Sequence, residues 1–80
     1  MERSIILSEI NKIFIEELDN ENINIEEKTK AADIEEWDSL SHIVLIVAIE
    51  KKFNIRFTSE EIQSWKDVGE MLNSIQAKGI

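Results

Sequence analysis

EEWDSLSHIVL, residues 35–45, sets acids, an indole and a hydroxyl directly in front of the greasiest run in the chain. That run, Ile43 to Ile49, is seven residues long. Its IVLIV portion is rich in β-branched residues, which taken alone suits a buried strand. Two neighbouring features favour a helix. Apolar spacing continues through Ala48 and Ile49 to Phe53, which is longer than a typical strand. Asp38 and Ser39 stand before the run, and both types are preferred N-caps because their side chains accept from the free N–H groups of a first turn. The spacing predicts a helix opened by Asp38 or Ser39 and running to about Lys52.

Upstream, Ile6, Ile10, Ile13, Phe14 and Leu18 recur at helical spacing, which predicts an amphipathic helix over 3–18 with Ser4 as its candidate start. Residues 19–37 lose the period and carry Asn20, Asn22 and Asn24, so they read as a long loop anchored by Ile23, Ile25 and Ile34. Downstream, Thr58-Ser59-Glu60-Glu61 fits a capping box and opens a short helix ending near Trp65. Asp67-Val68-Gly69-Glu70 opens a last helix whose core face is Val68, Met71, Leu72 and Ile75. No strand pair with turn signals exists. The expected fold is all-α, a small four-helix bundle with a long loop between helices one and two, in one domain over 1–80. Phe14, Phe53 and Phe57 are core candidates, and Trp65 is expected to close the third helix onto the core.

The chain has no Cys, which removes disulfides, thiolate nucleophiles and thiolate metal sites. The longest apolar run is far too short to span a bilayer, and the first residues lack a signal-peptide pattern, so a cytoplasmic protein without membrane insertion is expected. Residues 16–38 hold ten acids against Lys28 and Lys30, which accounts for the whole net charge of −8. Such a field repels nucleic acid and draws in basic protein surfaces.

The predicted second helix is apolar on two faces. Leu45, Ile46, Ile49 and Phe53 form one stripe, while Leu40, Ile43, Val44 and Val47 form another about a third of a turn away. The second stripe is either covered by the long loop or open to a partner beside Ser39. Ser39 itself reads in two ways, as a cap or as a hydroxyl where an esterified phosphate would meet free N–H groups and the positive helix end. A hydrolase is disfavoured: Asp38, Ser39 and His42 share one short helical surface, without a Gly-rich elbow or room for a substrate pocket. His42 is expected at the surface or facing a partner. A calcium loop from Asp19 fails because its sixth and twelfth positions are Asn24 and Lys30.

With these elements in order, the chain resembles the acyl and peptidyl carrier proteins. Asp38-Ser39-Leu40 matches their Asp-Ser-Leu motif, set between a long acidic loop and a helix ending Ala48-Ile49-Glu50-x-x-Phe53. The resemblance spans essentially the whole chain. It implies that a phosphopantetheinyl transferase attaches phosphopantetheine from coenzyme A to Ser39, and that the arm's thiol carries acyl or aminoacyl groups as thioesters between a loading enzyme and downstream transferases. Such a protein is not an enzyme, has no catalytic residue or metal, and is expected to be a monomer. Asp38 and Leu40 flank the attachment site, and Leu40, Ile43, Val44, Val47, Glu35 and Glu36 are the expected partner-binding residues.

The chain departs from many fatty-acid carriers at Glu36 and Trp37, where Gly and a small residue are usual, and at Val44, where an acid is usual. Lys51 and Lys52 also leave the second helix nearly neutral. Trp-Asp-Ser-Leu-x-His is more similar to discrete carriers of specialised pathways. Trp37 either anchors the loop end to the bundle or packs over the base of the arm. The alternative function is an unmodified carrier-fold domain that docks partners through Leu40–Val47.

Overall fold

The computed structural model describes residues 1–80. Helix α1 spans Arg3–Leu18, α2 Ser39–Phe53, α3 Ser59–Ser64 and α4 Val68–Ala77, with one 3₁₀ turn at Ala31–Asp33 inside the long loop. The chain is the expected all-helical bundle. α1 packs chiefly on α2, and α4 closes against α1 and α3.

Helix ends follow their sequences. Ile6, Ile10, Phe14 and Leu18 repeat every four residues and give α1 its buried face. Ser4 does not start this helix: Glu2 occupies the cap position, and its carbonyl accepts from Ile5 and Ile6 N–H at 3.0 and 3.1 Å. α1 and α2 stop alike, on Asp19 (φ 52°) and Asn54 (φ 55°), left-handed residues whose N–H groups return to Ile15 and Glu50 carbonyls. Short polar side chains tolerate that conformation better than most residues. Thr58 Oγ1 accepts from Glu61 N–H at 3.1 Å while the Glu61 carboxylate accepts from Thr58 N–H at 2.8 Å, completing the capping box of α3. Asp67 caps α4 by accepting from Glu70 N–H at 3.0 Å.

The long loop is laced to the bundle rather than left free. Ile23 and Ile25 are buried, and Asn11 Oδ1 on α1 accepts from Ile25 N–H at 2.8 Å. Further on, loop carbonyls serve the start of α4: Val68 N–H donates to Thr29 O at 2.9 Å and Gly69 N–H to Glu27 O at 2.7 Å. A Cβ on Gly69 would stand 3.0 Å from that Glu27 oxygen, so glycine permits the approach. The Arg3 guanidinium ties the same region together, donating at 2.8 Å each to Glu27, Gln76 and the Gly69 carbonyl.

One cluster of fourteen buried residues joins all these pieces except α3, whose residues pack at its margin. Phe14 sits at its centre with no exposed surface, edge-on to Trp37 at 4.9 Å between ring centroids. Phe53 is buried as expected, but Phe57 is only half-buried. It packs edge-on to Trp65 at 4.9 Å, with the Lys78 ammonium 5.5 Å from its ring centre. Trp65 does hold α3 to α4, because its indole N–H donates to Ser74 Oγ at 2.8 Å.

Truncating the central ring should therefore be severe. Phe14→Ala is expected to cost about 3–5 kcal/mol, comparable to the whole stability of a small domain, whereas Ile49→Val should cost about 0.5–1.5 kcal/mol. Urea denaturation followed by circular dichroism measures both.

Candidate functional site

The first turn of α2 is closed by Asp38 and Ser41, not by Ser39. One Asp38 carboxylate oxygen accepts from Leu40 N–H at 3.0 Å and Ser41 N–H at 2.8 Å. Ser41 Oγ accepts from Asp38 N–H at 2.8 Å and donates to the Glu36 carbonyl at 2.9 Å. The bonds from Ser41 N–H, above all, hold the Asp38 carboxyl below its ordinary range. Because Asp38 takes the cap, Ser39 is the first helical residue, exposed, with its hydroxyl outside the capping network.

The structure also decides between the two fates of the second apolar stripe. Leu45, Ile46, Ile49 and Phe53 are buried, while Leu40 (77 %), Ile43 (61 %), Val44 (47 %) and Val47 (43 %) are exposed. The long loop does not cover them. Leu40 is adjacent to Ser39, and Lys51 continues the same stripe one turn beyond Val47. Glu35 and Glu36 lie exposed just before the cap, and Glu36 also accepts from the Asn20 amide at 2.8 Å. Glu50, by contrast, is spent on the fold, accepting from Phe57 N–H at 2.8 Å.

Beside Ser39 opens a cavity of about 290 Å³, walled by Trp37, His42, Trp65 and Met71. From the sequence, His42 is expected at the surface or facing a partner. Instead it is half-buried, stacked on Trp37 with ring centroids 5.8 Å apart, and its Nδ1 accepts from the Trp37 indole N–H at 2.9 Å. Trp37 anchors the loop end, and it also forms one wall of this cavity. The contribution of Lys66, Asp67 and Met71 to the cavity was not visible in the sequence, since nothing in their local pattern places them beside residue 39. Burial pushes the His42 imidazole below its ordinary value of 6.5. No helix is long and apolar enough to cross a membrane.

An exposed hydroxyl thus stands at the positive end of a central helix, beside a cavity and an uncovered apolar stripe. The family model described as phosphopantetheine attachment site matches residues 8–75. The acyl carrier protein of Wolinella succinogenes is 30 % identical over 71 residues, covering 89 % of this chain and 93 % of the relative. That of Caulobacter vibrioides is 32 % identical over 73 residues, covering 91 % and 94 %. The solution structure of holo acyl carrier protein from Geobacter metallireducens superposes with a TM-score of 0.84 at 38 % identity, covering 90 % of this chain and 83 % of that one. The chain belongs to the phosphopantetheine attachment site family. It is a carrier rather than an enzyme, and phosphopantetheine is its covalent cofactor. The residues here fit that group, since Ser39 offers an accessible hydroxyl that the fold does not consume.

A pH dependence follows from the Trp37–His42 bond. Protonating Nδ1 would face one donor with another, so the folded state binds that proton less readily than the unfolded chain. Stability from this pair is fully present above the unfolded value of 6.5 and is lost as pH falls through the lower folded value. The depressed carboxyls Glu9, Glu27, Asp38 and Glu61 act only at more acid pH. Denaturation at pH 7.5, 6.5 and 5.5 should show the step, and His42→Asn, which keeps an acceptor without a titration, should flatten it.

Proposed function

We propose that Ser39 is the attachment position of the phosphopantetheine arm, and that the chain shuttles acyl or aminoacyl groups between enzymes of acyl metabolism. The observation that carries this reading is the capping geometry: Asp38 and Ser41 satisfy the first turn between them, which leaves the exposed Ser39 hydroxyl to a transferase. When bound, the arm supplies the thiol that this Cys-free chain lacks. Asp38 orients the turn, and Leu40 presents the nearest apolar contact for a partner.

Partners on this reading are a phosphopantetheinyl transferase, a loading enzyme and downstream transferases. They would meet Leu40, Ile43, Val44 and Val47, with Glu35 and Glu36 at the near end of the stripe. At the far end stand Lys51 and Arg56, neither of which takes part in an ion pair of the chain. That reversal of charge from the near end of α2 to the segment beyond it favours partners of a specialised pathway over enzymes that read a uniformly acidic helix. On this reading the protein works in the cytoplasm, as a single carrier domain and as a monomer.

Incubation with coenzyme A and a broad-specificity phosphopantetheinyl transferase tests the attachment. Intact mass should rise by one phosphopantetheine, and Ser39→Ala should abolish the gain. An unchanged mass, where a control carrier is modified, would instead favour the unmodified docking domain.

The charge map gives a second test. Glu35→Lys with Glu36→Lys should slow modification roughly 3–10-fold at low salt, and the effect should fade as salt rises. Glu50 is a poor comparison because it holds the Phe57 N–H. Glu2→Lys, at the far end of α1 from Phe14, should leave the rate unchanged. Equal slowing by both would remove the loop acids from recognition.

A further inference from the structure

The exposed stripe of α2 carries a symmetry that docking to an unrelated protein does not require. Leu40, Ile43, Val44 and Val47 are spaced i, i+3, i+4 and i+7, and Lys51 follows at i+11. Side chains at this spacing lie along one line of a helix and form the seam of a two-helix packing. All four apolar members face solvent. Apart from Met1 and Ile5, they are the only large apolar side chains that the chain exposes.

About the point midway between Ile43 and Val44, the stripe is its own complement. Turning the helix end for end there sets Leu40 against Val47, Ile43 against Val44 and Glu36 against Lys51. Glu36 precedes the helix, but Ser41 Oγ donates to its carbonyl at 2.9 Å, which holds it beside the first turn. Glu36 and Lys51 are both exposed, and neither enters an ion pair of the chain. Shape agrees with charge. A groove of about 340 Å³ runs beside the stripe, lined by Glu17, Ile43, Val44, Val47, Ala48 and Lys51. Leu40, with 77 % of its surface exposed, is a knob of the kind that such a groove takes, and the end-for-end turn brings it to Val47.

We propose that a second copy of this chain docks on this face, the two α2 helices packing antiparallel about a twofold axis, with Glu36 of each copy beside Lys51 of the other. A closed pair of this kind uses one self-complementary patch twice. The patch is small, so the pair is weak, with a dissociation constant of roughly 0.1–1 mM. Each copy carries a net charge of −8, so low salt drives the copies apart. At about 0.15 M salt, charges more than about 8 Å apart are screened, while the facing ion pairs still attract. Pairing withdraws the stripe from other proteins. The monomer therefore remains the working carrier, and the pair is its idle form at high concentration. Nothing in this pairing depends on Ser39 being modified.

Sedimentation equilibrium of the full, unmodified chain from about 10 μM to about 1 mM, in about 0.15 M salt, reads the association. The average mass should climb from monomer towards dimer over that range. Val44→Asp, next to the axis, should weaken association at least about tenfold, whereas Ile5→Asp, which adds the same charge at an exposed apolar residue of α1, should not. Circular dichroism checks that both variants keep the helical fold. Charge exchange tests the orientation. Glu36→Lys sets two lysine pairs face to face in its own dimer, and Lys51→Glu sets two glutamate pairs, so each alone should associate about tenfold less than the parent. Mixed in equal amounts, the two variants should associate within about threefold of the parent, because both contacts again join opposite charges. A parent chain that stays monomeric to about 1 mM overturns the pairing, as does equal loss from Val44→Asp and Ile5→Asp. Charge variants that each associate like the parent also overturn it, and so do variants that remain apart when mixed.

Discussion

The site depends on which side chain closes the first turn of α2. A helix start has N–H groups without partners, and a neighbouring oxygen must answer them. Asp38 answers two, while Ser41 reaches back to Asp38 N–H and to the Glu36 carbonyl. Had Ser39 been the cap, its hydroxyl would be occupied and its backbone extended. Placing the cap one residue earlier keeps the turn satisfied and the hydroxyl accessible. The same bonds fix the direction in which the chain enters the helix, and with it the position of Trp37.

Trp37 carries that local order into the core. Its ring meets Phe14 of α1 edge-on and its N–H reaches His42 of α2, so the loop end is pinned to both helices at once. At the other end of the molecule Arg3, Gly69 and the Glu27 carbonyl lock the loop to α1 and α4. A twenty-residue connection without a long regular element thus behaves as a belt with two buckles. It leaves the outer face of α2 uncovered, which is why four apolar side chains there face solvent.

Much of this was legible in the sequence because it is local. Periodicity places α1, a capping box locates α3, and the Asp67 cap locates the start of α4. The Asp-Ser-Leu motif within its frame of helices identifies the family. What escaped was long-range. Ser4 looks like a helix cap because serine often is one, but Glu2, two residues earlier, takes that position through its backbone carbonyl alone. The two apolar stripes of α2 were visible, yet only tertiary packing tells which one the loop leaves open. Trp37 and His42 both stand out in the sequence, but their bond depends on the bend between loop and helix, which local periodicity does not encode. Lys66 and Met71 reach the cavity through the packing of the link between α3 and α4, which no local pattern encodes.

The placement of the two indoles has one more consequence. The chain contains two tryptophans and no tyrosine, and both tryptophans border the cavity at Ser39. Nearly all of the protein's near-ultraviolet emission therefore originates within that one pocket. Any change in the surroundings of that pocket can be followed optically in the unlabelled protein, with its own fluorescence as the gauge.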